Sequence, residues 1–138
     1  MPPKLLGLEH LRFIHIHPGF LPDIKGADCF LWSNLIYGQS SASSFYMSKG
    51  IDTGDIIKAK LLPILNLNLN GHKIDDLSMY RMIYSFVDPW VRSVLLKYLI
   101  AEHSDFFEIH STSQNTTEGL TFHFMHQKLR SLSLKSMF

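Results

Sequence analysis

An α/β fold follows from three features of the sequence. A short β-rich run at 12–17 stops at Pro18-Gly19, a segment with helical spacing at 27–37 ends at Gly38, and a second β-rich run follows at 42–47. The order strand, helix, strand predicts a parallel arrangement, because such units close by a right-handed crossover. With 138 residues and 46% hydrophobic content, the chain can build one compact core.

In the first strand, alternation puts Phe13, His15 and His17 on one face and Ile14 and Ile16 on the other. The loop 18–26 holds two prolines and two glycines, which suits a wall that approaches a ligand closely. Phe30, Leu31, Ile36 and Tyr37 fall near helical spacing in the crossover helix, and Gly38 caps it. A turn at 48–54 then separates the strand at 42–47 from a third at 55–64. After a repetitive loop at 65–71, a helix is expected over 74–87. Pro89 should end it, with Asp88 capping a new helix whose stripe of Val91, Val94, Leu95, Tyr98 and Leu99 reads as core. A polar linker at 111–119, an edge strand at 120–125 and a basic tail at 127–138 close the chain, the tail being expected as surface helix or frayed end.

Composition narrows the function. Thirteen basic against twelve acidic residues leave a charge of +1, so no broad footprint for nucleic acid is expected. The single Cys29 cannot form an intramolecular disulfide or a cysteine-based zinc site, and it favours a reducing compartment, the cytoplasm. The first residues lack the pattern of a secretion signal, and no apolar run approaches the ~20 residues of a membrane helix.

One ordered set of short motifs carries the functional reading: His17-Pro18, Leu21-Pro22, Lys25-Gly26-Ala27 and Gly50-Ile51-Asp52-Thr53-Gly54. In this order and spacing they resemble the central segment of the folate-dependent formyltransferases. The likeness is greatest to enzymes acting on nucleotide-linked amino sugars, and methionyl-tRNA formyltransferase and glycinamide ribonucleotide transformylase are related. It continues weakly through Leu62-Pro63-Ile64, the helix near Asp75 and the segment 119–130. The resemblance implies a partial Rossmann-like sheet over 1–110, followed by a small C-terminal extension over 111–138. It also implies 10-formyltetrahydrofolate as co-substrate and a small-molecule acceptor, an amino sugar nucleotide.

Formyl transfer to an amine passes through a tetrahedral intermediate whose oxygen becomes negative. Hydrogen bonds must reach that oxygen, and a base must take the proton of the attacking nitrogen. The resemblance assigns His17 to oxyanion stabilisation and proton transfer, and Asp52 to polarising it and relaying protons. A carboxylate beside a histidine raises its pKa, so an imidazolium near neutrality is expected. Gly50, Ile51, Thr53 and Gly54 are implied to bring backbone amides to the folate's pterin ring. His15 stands where the family has Asn. A neutral imidazole still donates one hydrogen bond, with different shape and reach, and losing an oxyanion donor costs about two to three orders of magnitude elsewhere. In the family, further βα units precede this segment. A truncated chain, with weak or no turnover on its own, is therefore the expectation.

Other readings stand beside this one. The alternatives are a non-catalytic interaction module that pairs through an exposed strand as a homo- or hetero-oligomer, and a metal-binding protein using His15 and His17 with Asp23 or Asp28. No metal is assigned to the formyltransferase site. Asp52 alone is also a good turn former. Asp55 reads as structural, Trp32, Tyr37 and Phe45 as core or pocket wall, and Lys25, with Lys128, Arg130 and Lys135, as solvated.

Overall fold

The computed structural model describes all residues except 1, 2, 9, 69–71, 107, 108, 116 and 138. The last residues of the repetitive loop, one linker position and the final residue of the tail thus lie outside the described residues. In chain order the elements are α1 (Pro3–Leu6), β1 (Ile14–His17), β2 (Ile24–Gly26), α2 (Cys29–Tyr37), β3 (Ser41–Tyr46), β4 (Ile56–Leu61), α3 (Asp76–Met82), a π-helical turn (Ile83–Val87), α4 (Asp88–Glu102), β5 (Leu120–Phe122) and α5 (Gln127–Lys135). The class is α/β, as the sequence predicts.

The direction of the strands differs from expectation. β3 lies between β1 and β4 and runs antiparallel to both, with His17 opposite Ser43 and Ser43 opposite Ala59. A single helix does not carry the chain back along the sheet. The excursion first turns through β2 and only then enters α2, so β3 starts beside the end of β1 rather than beside its start. Gly38, at φ 68°, ends α2 as anticipated, its N–H bonding to the Asn34 carbonyl.

β3 is buried from Ser41 to Phe45 and is rich in serine. Small side chains let α2 approach it closely, and the Ser33 and Ser41 hydroxyls meet at 2.6 Å. Ala42 belongs to one core cluster with Phe30 and Leu31 of α2, Ile83 of the π turn, and Val91 and Leu95 of α4. The helix expected to stop before Pro89 continues instead. The Asp88 N–H reaches back five residues to the Ile83 carbonyl, and this wider turn accommodates a proline that has no N–H to donate.

Two elements were not anticipated as such. Residues 24–26 form β2, which pairs in parallel with the short strand β5 (Ile24 with Leu120, Gly26 with Phe122). The basic tail is a docked helix: Ser133 and Leu134 are buried, Met137 just beyond α5 joins the core cluster, and the Ser133 hydroxyl donates to the Leu31 carbonyl at 2.9 Å. Among the described residues, no helix is long and apolar enough to cross a membrane.

Candidate active site

His17 closes β1 and is buried, while Asp52 sits in the turn after β3 at φ 52°. The His17 Nδ1 lies 3.5 Å from the Asp52 Oδ2. On its other side the ring bonds through Nε2 to the Ile24 carbonyl at 3.0 Å. A carbonyl can only accept, so that nitrogen carries the hydrogen of the neutral ring and Nδ1 turns its lone pair toward the carboxylate. The Asp52 Oδ2 also accepts the Gly26 N–H at 2.9 Å.

Two glycines make this geometry possible. A Cβ on Gly19 would lie 2.5 Å from the His17 Nε2 and 2.6 Å from the Ile24 oxygen, in the space that the hydrogen bond between them occupies. A Cβ on Gly54 would meet the Tyr46 carbonyl oxygen at 1.5 Å, so only glycine lets the turn fold back onto β3. Within the turn, the Ser48 and Thr53 hydroxyls meet at 2.8 Å.

A cavity of about 360 Å³ opens beside the pair. Its wall includes Leu6, His15, Phe45 and the turn from Ser48 to Asp52. Of the residues implied by the resemblance, His15, Gly50, Ile51 and Asp52 thus reach the cavity, whereas Thr53 and Gly54 shape the turn and His17 stands behind Asp52. The His15 ring packs edge-on against Phe45, 5.5 Å between centroids, and 6.4 Å from the His17 ring.

Burial pushes the His17 pKa below its ordinary value. Asp52 and the Ile24 carbonyl pull it back upward, and neighbouring His15 and Arg92 add to the fall. His15 is likewise lowered, chiefly by burial, with Asp52 opposing and Arg92 assisting. This corrects the expectation of an imidazolium near neutrality. The cost of placing a charged ring in a poorly hydrated site outweighs the attraction of one carboxylate.

Other expectations are corrected by contacts. Lys25 is buried rather than solvated, its Nζ donating to the Glu118 carbonyl at 2.7 Å. Neither aspartate suggested as a third ligand stands with the two histidines. Asp23 accepts from the Tyr37 hydroxyl at 2.7 Å, and Asp28 accepts from the Tyr80 hydroxyl at 2.9 Å and the Met125 N–H at 2.8 Å. The carboxylate that does stand there is Asp52.

Two supporting residues are not among those that the sequence singles out. Gln114, from the polar linker, donates through Nε2 to the main-chain carbonyls of Asp52, at 3.1 Å, and Gly54. Ser43 of β3 donates to the Gly19 carbonyl at 2.6 Å and accepts the Leu21 N–H at 2.9 Å, tying the loop after β1 to the sheet. A serine at a buried strand position was visible in the sequence. A glutamine 62 residues from its partner in a polar run was not.

No family model matches the chain. It is 36% identical over 66 residues to methionyl-tRNA formyltransferase of Syntrophus aciditrophicus, which is 46% of this chain and 21% of that protein. Methionyl-tRNA formyltransferase of Clostridioides difficile is 31% identical over 81 residues, 57% of this chain and 26% of that protein. The chain therefore spans about a fifth to a quarter of the length of these relatives. Among solved structures, the formyltransferase PseJ from Anoxybacillus kamchatkensis superposes with a TM-score of 0.53 at 20% identity, over 88% of this chain and 58% of that one. WlaRD, a sugar 3N-formyl transferase, gives 0.52 at 17%, over 88% and 44%. The fold is that of the formyltransferases. The sequence likeness is to methionyl-tRNA formyltransferases, over about half of this chain.

Proposed function

We propose that the site transfers a formyl group from 10-formyltetrahydrofolate to the amino group of a small acceptor, a nucleotide-linked amino sugar, in the cytoplasm. The observation that carries this reading is buried His17 set against Asp52, which lines a cavity, in a chain that matches a methionyl-tRNA formyltransferase over 66 residues. PseJ was solved with UDP-4,6-dideoxy-4-formamido-L-AltNAc and tetrahydrofolate, and WlaRD with dTDP and 5-N-formyl-THF, which supports the choice of acceptor and donor classes.

The amine nitrogen attacks the formyl carbon, and the carbonyl electrons move to oxygen. Asp52 accepts the proton released by the nitrogen, and His17, held behind it, positions the carboxylate. His15, at the cavity wall, offers its ring N–H to the developing oxyanion. Collapse breaks the bond to the folate nitrogen, which takes up a proton and leaves as tetrahydrofolate. Backbone amides of Gly50 and Ile51, which line the cavity, face the folate.

An imidazole in place of an amide donor makes turnover slow. Formamide product is measured by mass spectrometry after incubating the purified chain with 10-formyltetrahydrofolate and a dTDP- or UDP-linked amino sugar. Expected is a low rate, abolished in Asp52→Asn and raised about 100-fold or more in His15→Asn. No formamide from either the parent or His15→Asn overturns the proposal. A second reading, an interaction module, draws on β1, which pairs only with β3 among the described residues. Light scattering separates the two, since an obligate complex that fails to bind tetrahydrofolate favours the module.

A further inference from the structure

We propose that His15, His17 and Asp52 form a binding site for a zinc-class divalent metal ion. One ligand atom from each of the three lies within 4.8 Å of the others. Two imidazoles and one carboxylate, with a cavity on the open side, are the donor set of a zinc centre that keeps a position for water or substrate.

One of the separations fits a shared ion better than a hydrogen bond. The His17 Nδ1 and Asp52 Oδ2 are 3.5 Å apart, beyond the 2.7–3.2 Å span of an N–H···O bond. Ligand atoms bound tetrahedrally at ~2.0–2.1 Å lie about 3.3–3.4 Å from each other, which is nearly this separation. With Nε2 donating to Ile24, the two facing atoms both present lone pairs, an arrangement that a cation between them relieves.

The surroundings match as well. A metal-bound histidine ordinarily donates its second nitrogen to a backbone carbonyl, which fixes the tautomer, and a metal-bound carboxylate is itself hydrogen-bonded. His17 has the Ile24 carbonyl and Asp52 has the Gly26 N–H. The third ligand is the residue that departs from the family's pattern: asparagine at position 15 leaves two ligands, and histidine makes three. Gly19 keeps open the space that the His17 orientation needs.

This inference does not depend on formyl transfer. Chelator-treated full chain is titrated with Zn²⁺ by calorimetry and with Co²⁺ by visible absorption, without folate or acceptor. One ion per chain is expected, with the intense d–d bands of a four-coordinate cobalt site. His15→Asn should keep the fold by circular dichroism and lose at least about 100-fold in Zn²⁺ affinity, more than the 10–100-fold that a supporting partner is worth. Asp52→Asn should behave similarly. His123→Gln and His126→Gln, distant surface changes, should leave the affinity unaltered. Affinity equal in the parent and His15→Asn, or Co²⁺ spectra of a purely aqueous octahedral ion, overturns the proposal. Formyl transfer assayed in chelator tests the other reading separately.

Discussion

Gln114 is the residue whose removal tests how the site is held. Its amide donates to the Asp52 and Gly54 carbonyls, and its own oxygen has no hydrogen-bond partner. The two neighbours are acceptors, so the amide nitrogen must face them, whichever way the two atoms scatter. Each bond contributes about 0.5–1.5 kcal/mol net. Gln114→Leu should therefore cost roughly 1–3 kcal/mol, the low end if water reaches the freed carbonyls, or a Tm lower by about 3–12 °C. Gln114→Glu, nearly the same shape, should cost more, because it sets a carboxylate against two carbonyl oxygens. The informative measurement is the NMR titration of the His17 ring in chelated protein. Asp52 is what pulls the His17 pKa upward against burial. If Gln114 holds Asp52 in place, Gln114→Leu must move the His17 midpoint further down, the same direction as Asp52→Asn. A stability loss with an unmoved His17 titration would show that Gln114 only braces the linker, and the reasoning would fail.

Three further outcomes are expected. His15 and His17 have depressed pKa values, so between those values and about 6.5 the unfolded chain holds more protons than the native one. Stability is then full above pH 6.5 and lost as pH falls below it, by up to about 1.4 kcal/mol per pH unit for buried His17 and less for half-exposed His15; urea unfolding of chelated protein at pH 7.5 and 5.5 checks this, and equal midpoints would refute it. Gly19→Ala should push the His17 ring off the Ile24 carbonyl, because the new methyl carbon meets Nε2 at 2.5 Å, and the His17 ring signals in NMR should shift while the far helix α5 is unchanged. Leu95→Ala removes a fully buried side chain between α4 and the sheet and should cost about 2–5 kcal/mol in thermal unfolding with no effect on the His17 titration.

The approach of His17 to Asp52 was more legible in the sequence than the sheet around it. His17 and Asp52 stand 35 positions apart, yet the glycines around each announce the close approaches that the structure requires. Gly38 announced its cap for the same local reason. Strand direction was not local. The antiparallel pairing of β1 with β3 depends on residues 24–26 forming a strand with β5, nearly a hundred residues later. No periodicity in three residues could signal that. Lys25 shows the same limit: only the arrival of the Glu118 carbonyl lets a lysine be buried there. The π turn before α4 was hidden because Pro89 reads as a stop, while an extra residue in the turn is an equally good answer to a missing N–H.

Between His17 and Asp52 one positive charge is wanted, and the two proposals differ in what supplies it. In formyl transfer it is the proton leaving the amine, which Asp52 can accept only while it is anionic and free. A metal ion occupies the same lone pairs and removes that acceptor, so an ion and a reacting amine exclude each other at Asp52. The residue that decides between them is His15. Asparagine there would donate a hydrogen bond and could not act as an imidazole ligand; the neutral ring of histidine, favoured by burial, offers a nitrogen lone pair. Substituting His15→Asn should therefore move formyl transfer and zinc affinity in opposite directions. A variant that raised or lowered both together would separate position 15 from the chemistry of the pair.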